Sequence, residues 1–509
     1  MMRGAAFQQK PLASIFVAFM FMSISFQYYM ADHIDREENT LEEDQIQPSN
    51  HIDAWDIYEQ PWPQYGGIPS HNGPIPLHSP NGGPGEGSVA DVETLKSIAN
   101  PVVNWQAFES NEADSYGSVI GNFSASITAP EEAKERCGNN SLFPVIVSSD
   151  DSSGNIISTL SILSGDDARV AWEVEIGQTR EIRATPMIYD IDGDSKQEII
   201  VAYDTESSFH IDVWSPELTC SNSAWEETGH SNELVWSYSD ADVRISSRLP
   251  HLPTRQSGHF AVTQPLLADL DLDGTPNLIL ALVDDPDNNP VPELTAFDLS
   301  MNVPTTPKWS VSLDRGTHPS DPVFAQLDST NSVVLLTTID SNSGNMWIWK
   351  VEGPTGSILW ERVAVQGTDT GDDEAPRLRL PGPVIVQLDG DNAPEMVITV
   401  PTDPTGPTSG SGAKYIGMEI TSTDEIFSFR APNGFGDVQP VAIDTDEDGI
   451  HDRLCWVTWY REGTLDPTNR EGLLGCHDIS NENPSQEWTR NLQRGGGNGN
   501  DEIAVSPPF

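Results

Sequence analysis

The chain has 509 residues, among them 40 Gly and 39 Pro, with 37% hydrophobic content. A single ordinary core does not extend over such a length unless it is built from repeats. The formal charge of −52, from 78 acids against 26 Lys and Arg, disfavours nucleic acid and anionic lipid as partners and favours cations and a solvated surface suited to salty surroundings.

Arg3 and Lys10 precede the uncharged stretch Leu12–Ala31. Its strongly apolar part is about ten residues long, the length of a signal-peptide core, with Ser23-Ile-Ser25 as a cleavage sequence. Extended to Tyr28 and Tyr29 it reaches about twenty residues, enough for an uncleaved anchor. Residues 1–31 are therefore read as a signal peptide or an N-terminal membrane anchor. Both readings export the acidic bulk to the cell surface or the extracellular space. Residues 32–100 begin acidic, with Glu42, Glu43 and Asp44, and become dense in Pro, Gly, Ser and Asn from Gln60 to Gly87. Such a composition buries too little apolar surface to offset its ordering entropy, so 32–100 reads as a largely disordered linker.

From about residue 101 two markers recur. The first is a strand–loop–strand phrase, clearest in Thr185-Pro-Met-Ile-Tyr-Asp-Ile-Asp-Gly-Asp-Ser-Lys-Gln-Glu-Ile-Ile-Val201. Its acids Asp190, Asp192, Asp194 and Glu198 occupy positions one, three, five and nine. Asp269, Asp271, Asp273 and Asn277 repeat the spacing, as do Gln387, Asp389, Asp391 and Glu395, and Asp444, Asp446, Asp448 and Asp452. A proline stands four residues before each start, at Pro186, Pro265, Pro383 and Pro440. Alternate residues of a tight loop turn their oxygens to one side, and Ca²⁺ takes six to eight oxygens. Carboxylates so close repel without a cation. Further copies at Gln326 and Asn122 have lost most of the acids, and no metal is expected at Gln326.

An EF-hand is excluded. It needs a Glu at position twelve and helical flanks. Position twelve is Val201, Leu280, Ile398 and Cys455, and the flanks are short runs of Val, Ile and Leu that read as strands.

The second marker is an aromatic on a short strand: Trp105, Trp172, Trp236, Trp309, Trp360 and Trp488, with Phe427 in the same slot. From aromatic to next loop start is 17 or 18 residues in four intervals (105→122, 172→190, 309→326, 427→444) and longer at 236→269 and 360→387, which carry polar inserts. The repeating unit is thus a strand, an acidic loop, two more strands and an outer strand with the aromatic. That fixed slot favours packing between units over a sugar-stacking platform.

These repeated acidic hairpins resemble the FG-GAP/VCBS repeat family, over residues 101–509. The resemblance implies an all-β fold, a β-propeller of four-stranded blades, with calcium in the turn between the first two strands. Carried over position by position, it implies metal ligands at Asp190, Asp192, Asp194 and Glu198, at Asp269, Asp271, Asp273 and Asn277, at Asp389, Asp391 and Glu395, and at Asp444, Asp446, Asp448 and Asp452. Trp105 reads as an outer strand without inner ones, and Asp501–Phe509 parallels Arg180–Ile188 before stopping short of a loop. The two ends are expected to combine into a seventh blade, incomplete here, with the chain truncated at its C-terminus.

Four cysteines in an exported chain suggest two disulfides. Cys455 and Cys476 lie on consecutive strands and are expected to pair, leaving Cys137 with Cys220. No His-Glu-x-x-His, Gly-x-Ser-x-Gly or phosphate loop is present. The expected function is a surface-displayed, calcium-stabilised binding or adhesion module for an extracellular protein or glycan. The alternative is an enzyme on the same scaffold, a polysaccharide lyase or a quinoprotein dehydrogenase. Gly353-Pro-Thr-Gly-Ser-Ile-Leu-Trp360 resembles the blade phrase of the latter, without its adjacent cysteine pair.

Overall fold

The computed structural model describes residues between 113 and 492, apart from internal stretches of which 130–142, 248–260, 367–379, 402–411 and 462–469 are the longest. Residues 1–112, and with them the leader, the linker and Trp105, lie outside the described residues, as do Cys137 and Asp501–Phe509. The seventh-blade expectation therefore falls outside them too.

Short β-branched runs punctuated by turn residues form strands, and consecutive runs pair as hairpins. Among the described residues six antiparallel meanders result. The first comprises Ala113–Gly121, Phe143–Asp150, Ile157–Leu163 and Val170–Gln178. The second comprises Met187–Tyr189, Glu198–Asp204, Phe209–Trp214 and Leu234–Asp240. Leu266–Ala268, Asn277–Asp284, Val291–Asp298 and Trp309–Ser312 form the third. Val323–Gln326, Ser332–Ile339, Met346–Glu352 and Ile358–Val365 form the fourth. The fifth has Val384–Val386, Glu395–Val400, Lys414–Glu419 and Glu425–Arg430. Val441–Ile443, Arg453–Arg461, Arg470–Asp478 and Ser485–Leu492 make the sixth.

The second strands of the second to fifth sheets read as near-continuous apolar runs because both of their faces are covered. Glu198–Asp204 is buried along its whole length. Successive side chains of a strand point to opposite faces. Ile199 and Val201 accordingly join a core with Val145 and Leu160 of the first sheet. Ile200 and Ala202 join another with Leu278 and Phe297 of the third. Three further cores link the third to the fourth sheet, the fourth to the fifth and the fifth to the sixth. Four-stranded meanders stacked face to face in this way, with a two-residue strand added to the third (Val243–Arg244) and to the fourth (His318–Pro319), make the chain an all-β propeller.

The aromatic slot fills these cores: Trp172, Trp236, Trp309 and Phe427 are all buried there, whereas Trp488 on the last strand is 41% exposed. Trp309 also explains a sequence phrase. Its Nε1 donates to the Gly353 carbonyl at 2.9 Å. A Cβ on Gly356, whose φ is +71°, would lie 2.7 Å from the indole. The glycines of the Gly353–Trp360 phrase thus let the fourth sheet close onto the third.

A second set of links runs between sheets at the residue before each repeat's proline. The Thr185 N–H donates to Gln264 Oε1 at 2.7 Å, and the Gln264 N–H donates to Asp321 Oδ1 at 2.7 Å. Gln439 Nε2 donates to the Gly382 carbonyl at 3.2 Å. All five residues occupy the same place in their repeats. In each bond the later sheet's side chain meets backbone of the preceding sheet.

The insertion in the first sheet's loop is not idle. Ile127–Thr128 pairs in parallel with Leu218–Ser221 from the second sheet's own insert, and Ala224–Glu226 completes a small side sheet. Cys220 sits there, disulfide-bonded. Cys455 and Cys476 face each other across the sixth sheet and are bonded, as their consecutive strands imply.

Phe297 is fully buried and edge-on to Tyr238 at 4.9 Å and Trp236 at 6.5 Å, both from the second sheet. Phe297→Ala is expected to cost about 3–5 kcal/mol, read as a lowered urea midpoint. Trp488→Ala is expected to stay within about 0.5 kcal/mol of the parent. Equal effects of the two would mean that the second and third sheets do not share a core.

Candidate metal centres

The acidic loops join the first and second strands of the second, third, fifth and sixth sheets. Their backbone does not close on itself by ladder bonds, so its N–H groups look for side-chain oxygens. Position nine takes the N–H of position two in all four loops. Ile191 donates to Glu198 at 2.8 Å, Leu270 to Asn277 at 3.0 Å, Leu388 to Glu395 at 2.6 Å and Thr445 to Asp452 at 2.9 Å. Position five takes the N–H of position seven: Lys196 to Asp194, Thr275 to Asp273, Ala393 to Asp391 and Ile450 to Asp448, all between 2.6 and 2.8 Å. Position one takes amides from the middle of the loop, as with Gly193 and Ser195 onto Asp190, Gly274 onto Asp269 and Gly449 onto Asp444.

This path requires left-handed backbone at positions four and six. Gly193, Leu272 and Gly390 hold position four, and Ser195, Gly274 and Gly449 hold position six, all with φ between 57° and 89°. Leu272 and Ser195 pay the steric cost of that region that the glycines avoid.

Asp190, Asp192 and Asp194 each bring an oxygen within 4.8 Å of the others, as do Asp269, Asp271 and Asp273. Glu198 and Asn277 lie buried at the start of the following strand. In the fifth sheet the converging trio is Asp389, Glu395 and Glu419, while Asp391 caps the Ala393 amide. Asp444, Asp448 and Asp452 each hold a loop amide but form no such trio among the described residues, and Asp446 lies outside them. The converging atoms are all carboxylate oxygens, a donor set that suits a hard cation such as Ca²⁺ and suits soft metals poorly.

The copy at Gln326 has become a tight turn. Five residues (327–331) separate the paired Gln326 and Ser332, against eight (190–197) between Tyr189 and Glu198. The Leu327 N–H then meets the Asn331 carbonyl at 2.8 Å, and a single acid, Asp328, takes the Thr330 N–H at 2.7 Å.

Two loops carry a protein cation that sequence spacing does not reveal. Lys308 Nζ lies 2.7 Å from Asp271 and 2.9 Å from Asp298. Arg453 reaches Asp452 at 3.0 Å and Glu487 at 2.7 Å. The signal was present as a basic residue beside a strand of the same unit, at 308 and 453, but only the pairing register identifies its partners.

Burial governs the protonation of the position-nine acids. It pushes the Glu198 carboxyl up to about 7; Ile191 N–H and Ser215 Oγ oppose the rise, and Asp192 and Asp190 add to it. Glu395 is likewise pushed up to about 7 by burial, against the Leu388 N–H, with Asp389, Glu419 and Asp391 adding to the rise. Asp269 is raised by burial as well.

No protein-family model matches the sequence, and no curated protein does. Among solved structures the chain is similar to the quinohemoprotein alcohol dehydrogenase of Comamonas testosteroni, at 9% identity and a TM-score of 0.40, over 86% of this chain and 74% of that one. It is similar to the Dos1 propeller at 9% identity and a TM-score of 0.33, over 69% and 68%. The exotype rhamnogalacturonan lyase YesX matches at 14% identity and a TM-score of 0.34, over 74% and 65%. Likenesses this distant bear on neither activity nor ligand.

A folded-state pKa near 7 against an ordinary 4.5 means that the fold prefers the neutral carboxyl at Glu198 and Glu395. Without cations, their contribution is full below the ordinary value and is lost as pH rises through about 7. In chelator the melting temperature is expected to fall between about pH 5 and pH 8, and Ca²⁺ is expected to remove most of that fall, because the ion favours the carboxylate. The double variant Glu198→Gln, Glu395→Gln should flatten the chelated profile. A profile in chelator that rises over this range would contradict the assignment.

Proposed function

We propose that the chain is an exported propeller of the FG-GAP/VCBS type, whose acidic loops bind Ca²⁺ and whose role is to display a binding surface for an extracellular protein or glycan. The observation that carries this reading is the recurrence of one hydrogen-bond scheme in four loops, with oxygen-only trios converging in three of the sheets. A turn built this way gathers negative charge where two strands must meet, and a bound cation stabilises that turn rather than a reacting group. If each loop binds like an extracellular module, Ca²⁺ at about ten times Kd stabilises each occupied site by roughly 1.4 kcal/mol.

Export is supported by the apolar N-terminal run and by the oxidised cysteines, since disulfides persist in oxidising compartments. The net charge of −52 argues for a protein or glycan ligand over nucleic acid or an anionic membrane. The N-terminal segment either anchors the chain at the cell surface or is removed on secretion.

The test is to pass the purified full chain over a glycan array and a panel of purified surface proteins, in Ca²⁺ and in EGTA. Binding in Ca²⁺ that disappears in EGTA together with a lowered melting temperature is the expected result. Two outcomes would overturn the reading: the same melting temperature with and without chelator, or a quinone absorbance band in the purified chain, which assigns it to a dehydrogenase instead.

A further inference from the structure

The fifth sheet departs from the other acidic loops in a way that defines a site of different composition. Position one is Asp190, Asp269 and Asp444 elsewhere and Gln387 here. Gln387 Nε2 donates to the Asp391 carbonyl, and its Oε1 is buried with no hydrogen-bond partner. The loop has therefore lost one carboxylate.

A replacement lies in the third strand. Glu419 is directly opposite Glu395 in the ladder between Glu395–Val400 and Lys414–Glu419. Asp389, Glu395 and Glu419 each place a carboxylate oxygen within 4.8 Å of the others. In the second sheet the residue next to the third strand's end at this level is Ser215, whose Oγ donates to Glu198 at 3.0 Å. In the third sheet Asn277 faces Asp298 and donates to it at 2.7 Å, with Lys308 beside it. In the fifth sheet acid faces acid. No ion pair to Asp389, Asp391, Glu395 or Glu419 occurs among the described residues.

An independent observation points to a ligand. Glu395 is fully buried, and while one carboxylate oxygen accepts from the Leu388 N–H, Oε1 has no partner at all. A buried acceptor left unpaired is costly, and like charges directly opposite in a ladder destabilise it. A cation removes both costs at once.

We propose that Glu419 is a metal ligand, and that with Asp389 and Glu395 it forms a Ca²⁺ site in which the third strand supplies the charge Gln387 lacks. The unpartnered Gln387 Oε1 offers a neutral oxygen to the same ion, and water completes the shell. Ca²⁺ fits better than Mg²⁺, because ligands from a loop and two strands suit a large, irregular shell rather than a small octahedral one. This site rests on the calcium reading of the propeller, but it adds a ligand from outside the loop.

The experiment titrates Ca²⁺ into the chelator-stripped full chain by calorimetry, with Glu419→Gln, Asp190→Asn, Gln387→Asp and the Gln387→Asp, Glu419→Gln double variant. E419Q is expected to bind one Ca²⁺ fewer than the parent, and the double variant to regain it. Q387D alone, which exchanges a neutral ligand oxygen for a carboxylate, is expected to tighten one site. E419Q binding as many ions as the parent, while Asp190→Asn binds one fewer, would overturn the Glu419 site and leave the calcium reading standing. A parent that binds none would overturn both. E419Q that loses no ion and melts higher in chelator would mean that the two glutamates share a proton, which also overturns the proposal. If E419Q does not fold, Q387D decides alone: one tightened site supports the proposal, and unchanged affinities overturn it.

Discussion

The turn between the first and second strands of the second, third, fifth and sixth sheets has backbone N–H groups and few backbone acceptors to meet them. Asp and Glu oxygens take that place, from the position-two N–H on Glu198, Glu395 and Asp452 to the mid-loop amides on Asp190, Asp269 and Asp444. This solution satisfies the backbone and creates a second problem, since the accepting groups repel one another. Each loop then differs in how that charge is met. Lys308 meets it in the third sheet, Arg453 in the sixth, and a serine hydroxyl takes part of it in the second. The turn at Gln326 avoids most of the problem by being shorter, so that a backbone carbonyl takes the Leu327 N–H and only one acid, Asp328, caps the turn.

The loops matter beyond their own turns because of where they lead. In the second, third and fifth sheets each enters a strand buried on both faces, whose alternate residues belong to two different cores. Fraying at Glu198 would loosen Ile199 and Ile200 together, and with them the packing on both neighbouring sheets. The bonds from Gln264, Asp321 and Gln439 to the backbone of the preceding sheet add a polar tie at the opposite end of the first strand. A short first strand, three residues in four of the sheets, is thus held at one end by its neighbour and at the other by its acidic loop. Cation binding in a single turn has a route to the stability of several sheets.

Much of this was legible in the sequence because it is local. The loop positions, the strands flanking them, the aromatic slot and the Cys455–Cys476 pair all follow from spacing within one repeat. What the sequence conceals is contact across hairpins of unequal length. From position nine to its neighbour on the third strand is 17 residues at Glu198→Ser215, 21 at Asn277→Asp298 and 24 at Glu395→Glu419. With the intervening turns varying so much, no fixed offset marks Glu419 as a partner of the loop. The side sheet is hidden for a related reason, since Ile127–Thr128 and Leu218–Ser221 come from inserts in two different repeats. The residue before each repeat's proline, at 185, 264, 321, 382 and 439, likewise finds its partner only between sheets.

The acidity of the chain takes on a different meaning once burial is considered. With 78 acids and 26 Lys and Arg, most carboxylates have no protein cation to pair with. For an exposed acid such as Asp192 or Asp273 that is no hardship, because water solvates it and surface ion pairs are worth little. Glu198, Asp269 and Glu395 are different, with exposures of 3%, 5% and 0%. A buried carboxylate must be protonated, hydrogen-bonded or joined to a cation. Glu198 has hydrogen bonds on both oxygens, and Asp269 takes two amides. Glu395 has one bond, a second acid opposite, and no donor for its remaining oxygen. The demand for an external cation therefore scales with unmet acceptors at buried positions and not with the number of acids in a loop, which is why the loop poorest in aspartate is the one where an ion has most to stabilise.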